Sequence, residues 1–132
     1  MATSPKYPQS AISGSVAVST ANTNTDGTGT LATVYTGTSG GNDEIDTIFC
    51  AATGATTQGM LRFWLYDGSV YQLVGSIIVP PNTPSITEGK DVWKAIYQFE
   101  TPVRLPTTSH VLKCGTHIAE AFKVTAQGNS YV

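Results

Sequence analysis

The sequence predicts an all-β fold: an antiparallel β-sandwich, jelly-roll-like, of about eight short strands with an extended N-terminal arm. Three observations predict it. Apolar and polar residues alternate over short stretches, and Gly-, Pro-, Asn- and Asp-rich punctuation separates these stretches at hairpin spacing. No segment keeps a helical period for longer than a turn or two, and Thr116–Ala121 (THIAEA) is the one helical hint. The composition carries 20 Thr and 11 Ser, which favours strands and turns.

Residues 1–10 contain Pro5 and Pro8 and little that packs, so they read as an extended arm, with residues 11–132 forming one domain. Ser10–Val18 alternates, with Ile12, Val16 and Val18 as its apolar positions. Thr30–Thr36 (TLATVYT) is β-rich, and GTSGGN (37–42) is a loop. Glu44–Ala52 is a strand of imperfect alternation carrying Ile45, Ile48 and Phe49, and GATTQG (54–59) is a turn.

The clearest local signal is MLRFWLYDGSVYQLVGSIIV, residues 60–79. Leu61, Phe63 and Leu65 share one face, and Arg62, Trp64 and Tyr66 share the other. A two-residue Asp67–Gly68 loop puts the core residues out of phase. A three-residue loop, Tyr66–Asp67–Gly68 with Gly68 left-handed, pairs Phe63 with Tyr71 and Leu61 with Leu73, and this bulged hairpin is the prediction. Trp64 and Tyr66 then face outward, as second-sheet core or as a contact surface.

VPPNTP ends that strand because proline cannot donate to a ladder. Residues 82–91 form a long loop. Asp91–Phe99 alternates again, with Trp93, Ala95, Tyr97 and Phe99 against Val92, Lys94, Ile96 and Gln98. TPVRLP (101–106) reads as a short edge strand. His110–Gly115 and Ala121–Ala126 are the last two strands, before the polar tail GNSYV.

Charge excludes some functions. Charged residues make up 12% of the chain and the net charge is −2, with seven basic residues spread evenly. Neither nucleic acid nor an anionic membrane is expected as a partner. No apolar run suits a bilayer, MATSPKYPQS lacks the apolar core of a secretory signal, and no Asn-x-Ser/Thr acceptor occurs. Synthesis in a cytoplasm without secretion is the expectation. A hydroxyl-rich surface this poor in charge suits a subunit packed against neighbours. Cys50 and Cys114 lie in alternating runs and read as small buried thiols, with a single bridge open to them if their strands are neighbours.

STANTNTDGTGT (19–30) places Asn22, Asn24 and Asp26 at alternate positions before Gly27, like the opening of a calcium loop. Counting from Asn22, the twelfth position is Thr33 where a bidentate Glu is needed, and only Asp26 of the three is charged. Turn chemistry is the better account, with Asn and Asp side chains bonding their own backbone. Asp43, Glu44 and Asp46 read as a solvated loop edge. His110 and His117 stand in no catalytic motif, neither Cys has a nucleophile's context, and the carboxylates are scattered. Catalytic, cofactor and metal residues are therefore expected to be none. Trp64, Tyr66 and Trp93 are candidates for an exposed aromatic platform of the sort that holds sugars, or for subunit contacts, and Tyr7 and Pro8 of the arm join them as contact residues.

Several of these motifs, in this order, resemble a group of small virion proteins of tailed bacteriophages. They are DGTGT, TLATVYT, a Gly-rich loop, EIDTI, ATGATTQGMLRFWLYDG, YQLVGSIIVP with its Pro/Thr-rich loop, LP, and AEAFKVTAQGNSY. Gly54–Gly68 is the most recognisable block, and the similarity runs from about Thr25 to Tyr131. The resemblance implies a β-sandwich structural protein of the phage particle. The expected function is a non-enzymatic capsid decoration or cement protein. It would bind the major capsid protein as a homo-oligomer, a trimer or dimer, and be localised to the virion. A tail, collar or fibre-associated subunit and a host-glycan-binding module are the alternatives.

Overall fold

The computed structural model describes residues 10–131, in which eight strands form two antiparallel sheets. The strands are β1 (Ser10–Val18), β2 (Ala32–Thr36), β3 (Asp43–Ala52), β4 (Gly59–Tyr66), β5 (Tyr71–Val79), β6 (Lys94–Leu105), β7 (Val111–Thr116) and β8 (Phe122–Ser130). One sheet has the order β1-β8-β3-β6 and the other β2-β7-β4-β5. The ladders β1·β8, β2·β7, β3·β6 and β4·β5 nest about the turn after Tyr66. The chain is thus one long hairpin, rolled so that β3 also meets β8 and β4 also meets β7. That is a jelly roll.

The core lies between the sheets. Alternation sends Ile45, Ile48 and Cys50 of β3, Leu61 and Phe63 of β4, Leu112 and Cys114 of β7, and Phe122, Val124 and Ala126 of β8 into it. Trp93, Ala95, Tyr97 and Phe99 pack against this cluster from β6 and the residue before it. Rings meet edge-on or tilted there, as for Trp93 and Phe122 at 6.0 Å and Phe63 and Tyr97 at 5.9 Å.

The β4–β5 hairpin departs from its predicted register. Tyr66 pairs with Tyr71, so the loop has four residues, Asp67–Val70, and Phe63 faces Gly75 and Leu61 faces Ile77. The Asp67 carboxylate explains the longer loop. Its Oδ1 accepts the Ser69 and Val70 N–H groups at 2.9 and 2.8 Å, and these bonds hold its pKa below the ordinary carboxylate value. Gly68 does adopt positive φ, 101°. The phase correction expected at the turn is made inside β5 instead, where Val74 is an extra residue between Leu73 and Gly75.

Three other boundaries differ. Asp91–Phe99 and TPVRLP are one strand, β6, whose pairing with β3 jumps from Gln98 to Val103 and so accommodates Pro102 in an irregular stretch at the sheet edge. GNS belongs to β8, because Ser130 pairs with Ser10. THIAEA forms a bend and no helix. Ser10 opens β1, and the rest of the predicted arm, with Tyr7 and Pro8, lies outside the described residues.

Candidate functional site

A two-layer sandwich has two outer faces, and here the chain treats them differently. Loop 19–31 folds over the outer face of the β2-β7-β4-β5 sheet. Asn22 N–H bonds Thr116 O at 2.8 Å, and Leu31 lies against Gly115. At the far side Gly27 rests on Tyr71, so close that a Cβ there would stand 2.3 Å from the tyrosine's own Cβ. Between these anchors, on the same face, sits Trp64, flanked by Lys113 and Leu73 and only 3% exposed. Tyr66 stacks on Tyr71 at 4.3 Å, with the Lys113 ammonium over both rings at 5.4 and 5.8 Å.

The calcium-like stretch is this cover, and its side chains hold the cover in shape. Asn22 Nδ2 donates to Thr28 O and Thr30 O at 2.9 and 3.0 Å, while its Oδ1 accepts from Asn24 N–H. Asn24 donates to the Thr28 hydroxyl, and Asp26 Oδ1 accepts from the Thr28 N–H and hydroxyl. These last bonds lower the Asp26 pKa. The alternate Asn-Asn-Asp spacing serves turn geometry, as expected from the sequence. Among the described residues no three His, Cys, Asp or Glu side chains stand together.

Among the described residues, the outer face of the β1-β8-β3-β6 sheet carries no such cover. Pairing fixes its rows: Lys94, Ala51, Lys123 and Ala17 in one; Ile96, Phe49, Thr125 and Ser15 in the next; Gln98, Thr47, Gln127 and Ser13 in the third. Ile96 is 62% exposed and Phe49 37%. Small Ala51 between two lysines and the bulkier Ile96–Phe49 pair beside it shape a groove of about 600 Å³. The sequence held a signal for it. Ile96 falls in the polar phase of the β6 alternation, and Phe49 follows Ile48 where one of the two must point outward. Neither stood out beside the larger tryptophans.

A buried polar cluster ties the sheets together where β2 ends and β3 begins. Asp43, expected at a solvated edge, is fully buried. Its Oδ2 accepts from Tyr35 Oη of β2 at 2.7 Å and from Thr38 Oγ1 at 3.0 Å. Burial pushes the Asp43 pKa up, but hydrogen bonding at the carboxylate, chiefly from Tyr35, outweighs it and the net shift is downward. Among the described residues Oδ1 has no hydrogen-bond partner, and the nearby Ser130 hydroxyl donates to Gly41 O at 3.2 Å. Glu44 pairs with Arg104 at 3.3 Å.

The remaining predicted residues are not brought together. His110 and His117 flank β7 at its two ends, about 23 Å apart at ~3.3 Å per residue. His110 Nδ1 meets Thr107 Oγ1 at 2.9 Å and His117 Nδ1 meets Arg62 Nη1 at 3.3 Å. Cys50 and Cys114 are buried free thiols on strands of opposite sheets, and burial raises both pKa values, that of Cys50 to about 11. Trp93 is half-buried and directed at Phe122. No protein-family model and no curated protein matches the chain.

Proposed function

We propose that this protein is a non-enzymatic structural subunit of a tailed-bacteriophage particle, a decoration protein that fastens on the major capsid protein lattice of the head. The observation that carries the reading is the bare outer face of the β1-β8-β3-β6 sheet. Loop 19–31 covers the Trp64 region of one sheet, whose edge strand β5 keeps Leu73 and Ile78 exposed, while on the other sheet Phe49 and Ile96 stand side by side in water on inner strand β3 and edge strand β6. Apolar side chains grouped on an ordered sheet mark a protein contact. The motif resemblance over Thr25–Tyr131 supplies the particle, and the low charge with abundant Thr suits a subunit that lives among neighbours. As a trimer or dimer, such a subunit gains avidity by attaching at several equivalent sites at once. Residues 1–9, with Tyr7 and Pro8, are a second proposed contact.

The host-glycan reading asks for an exposed aromatic platform. Trp64 lies under loop 19–31 and Trp93 is turned toward Phe122, so the geometry favours the structural reading. The test is co-sedimentation of the purified chain with undecorated phage heads. Saturable binding at a fixed ratio to the shell subunit is expected. Binding to tails or to host glycans with none to heads would replace this reading with one of the two alternatives.

A further inference from the structure

The groove's own chemistry says what kind of surface fits it. Ala51 of β3 has Lys94 of β6 on one side and Lys123 of β8 on the other, in register. One strand spacing separates each lysine from Ala51, so their backbones stand about 10 Å apart across the groove. The next row, Ile96–Phe49–Thr125, forms its apolar floor. Among the described residues no carboxylate lines the groove. Lys94 has a long, exposed contact with Asp91 at 3.4 Å, and Lys123 forms no ion pair among the described residues. Two cations therefore flank an apolar strip on a chain whose net charge is −2.

We infer that this groove docks an acidic, aliphatic segment of another protein, its carboxylates meeting Lys94 and Lys123 and its apolar side chains lying on Phe49 and Ile96. A second copy of the chain is the wrong occupant. Two such faces brought together gather four lysines at one interface with no carboxylate in the groove lining to answer them, only the exposed Asp91 beside each Lys94. Two lysines are also too few to hold a nucleic acid or an anionic bilayer, where each phosphate contact is screened by salt. A partner with apolar and acidic side chains uses both features of the groove at once. The inference deepens the decoration reading by giving the chemistry of the capsid surface, but its test needs no particle.

The probe is a blocked peptide, Glu-Leu-Leu-Glu-Leu, set against its Lys-for-Glu counterpart. Each is titrated into the ¹⁵N-labelled full chain at low salt. The acidic peptide is expected to shift the amides of Phe49, Ala51, Ile96 and Thr125 saturably, with affinity falling several-fold between 20 and 200 mM salt on the order expected for two screened ion pairs. The basic peptide is expected to leave them unmoved. The K94E/K123E double variant should lose at least tenfold in affinity (both side chains are exposed, so the fold should persist, as a matching amide spectrum verifies). Equal response to both peptides, shifts located elsewhere, no response at all, or preference for phosphatidylserine vesicles over the acidic peptide overturns the inference. The decoration reading is decided separately. Heads that bind the wild type and the double variant equally overturn the groove and leave that reading standing. Heads that bind neither, with the peptide still bound, do the reverse.

Discussion

The two outer faces of this sandwich begin from similar material and end differently. Each presents aromatic and aliphatic residues on a four-stranded sheet. On the β2-β7-β4-β5 sheet the chain folds residues 19–31 over Trp64 and removes it from water. Burying a side chain of that size contributes about 3 kcal/mol or more. On the β1-β8-β3-β6 sheet Phe49 and Ile96 stay exposed, so there the same type of surface contributes little to folding. Exposed hydrophobicity therefore has to be judged face by face. Ranking the chain's aromatics by size selects Trp64, the one residue of that sheet's outer row that the protein itself has covered.

Substitutions can break this contrast, and Trp64→Ala is expected to do so most severely. Removing a side chain that is 3% exposed should cost about 3–5 kcal/mol, measured by urea unfolding. A loss below about 1 kcal/mol would mean that the loop contributes no real burial. Gly27→Val attacks the cover from its other side. Gly27 has φ 88°, and its added carbon would meet Tyr71. A loss of about 3 kcal/mol is expected, from backbone strain and overpacking together. In a Trp93→Phe background the remaining Trp64 fluorescence should also become accessible to acrylamide.

Asp43 belongs to neither face but joins β2 of one sheet to β3 of the other. Asp43→Asn is expected to cost about 2 kcal/mol near neutral pH, because Tyr35 and Thr38 lose a charged acceptor. Its pKa is lower in the fold than in the unfolded chain, so its contribution is complete above the unfolded value of about 4. That contribution is lost as pH falls through the lower folded value. Melting temperature followed from pH 6 to pH 2 should therefore decline less steeply for the variant than for the wild type. The smallest effect is expected on the bare face. Ile96→Thr keeps a β-branched residue at a position 62% exposed, and stability should change by less than about 0.5 kcal/mol. A loss comparable to that of Trp64→Ala would show that the face is part of the core and erase the distinction.

Much of the architecture was legible before folding was considered. Period-two alternation located seven of the eight strands as separate segments. It split β6 in two, because Pro102 reads as a stop when a strand is assumed to be regular. An edge position with an irregular register tolerates that proline, and edge position is a property of the assembled sheet. The hairpin shows a similar division. Asp67 and Gly68 announced a turn with positive φ, but the register depended on which N–H groups the Asp67 carboxylate captured and on a bulge at Val74. The Asn-Asn-Asp stretch was legible as turn chemistry, because its bonds are local ones. That the turn serves as a cover was not legible, since its targets Tyr71 and Gly115 are distant in the chain.

The sequence by itself determined the class of fold, the positions of most strands, and the turns, because alternation, proline and glycine act over neighbouring residues. The tertiary structure alone decided that loop 19–31 covers Trp64 on one face. It also decided that Asp43 is buried and that Lys94 and Lys123 flank Ala51, the last through ladders that join residues 43 and 72 positions apart. Burial and charge juxtaposition are relations between distant segments, and the rolling of the long hairpin into two sheets sets which segments meet.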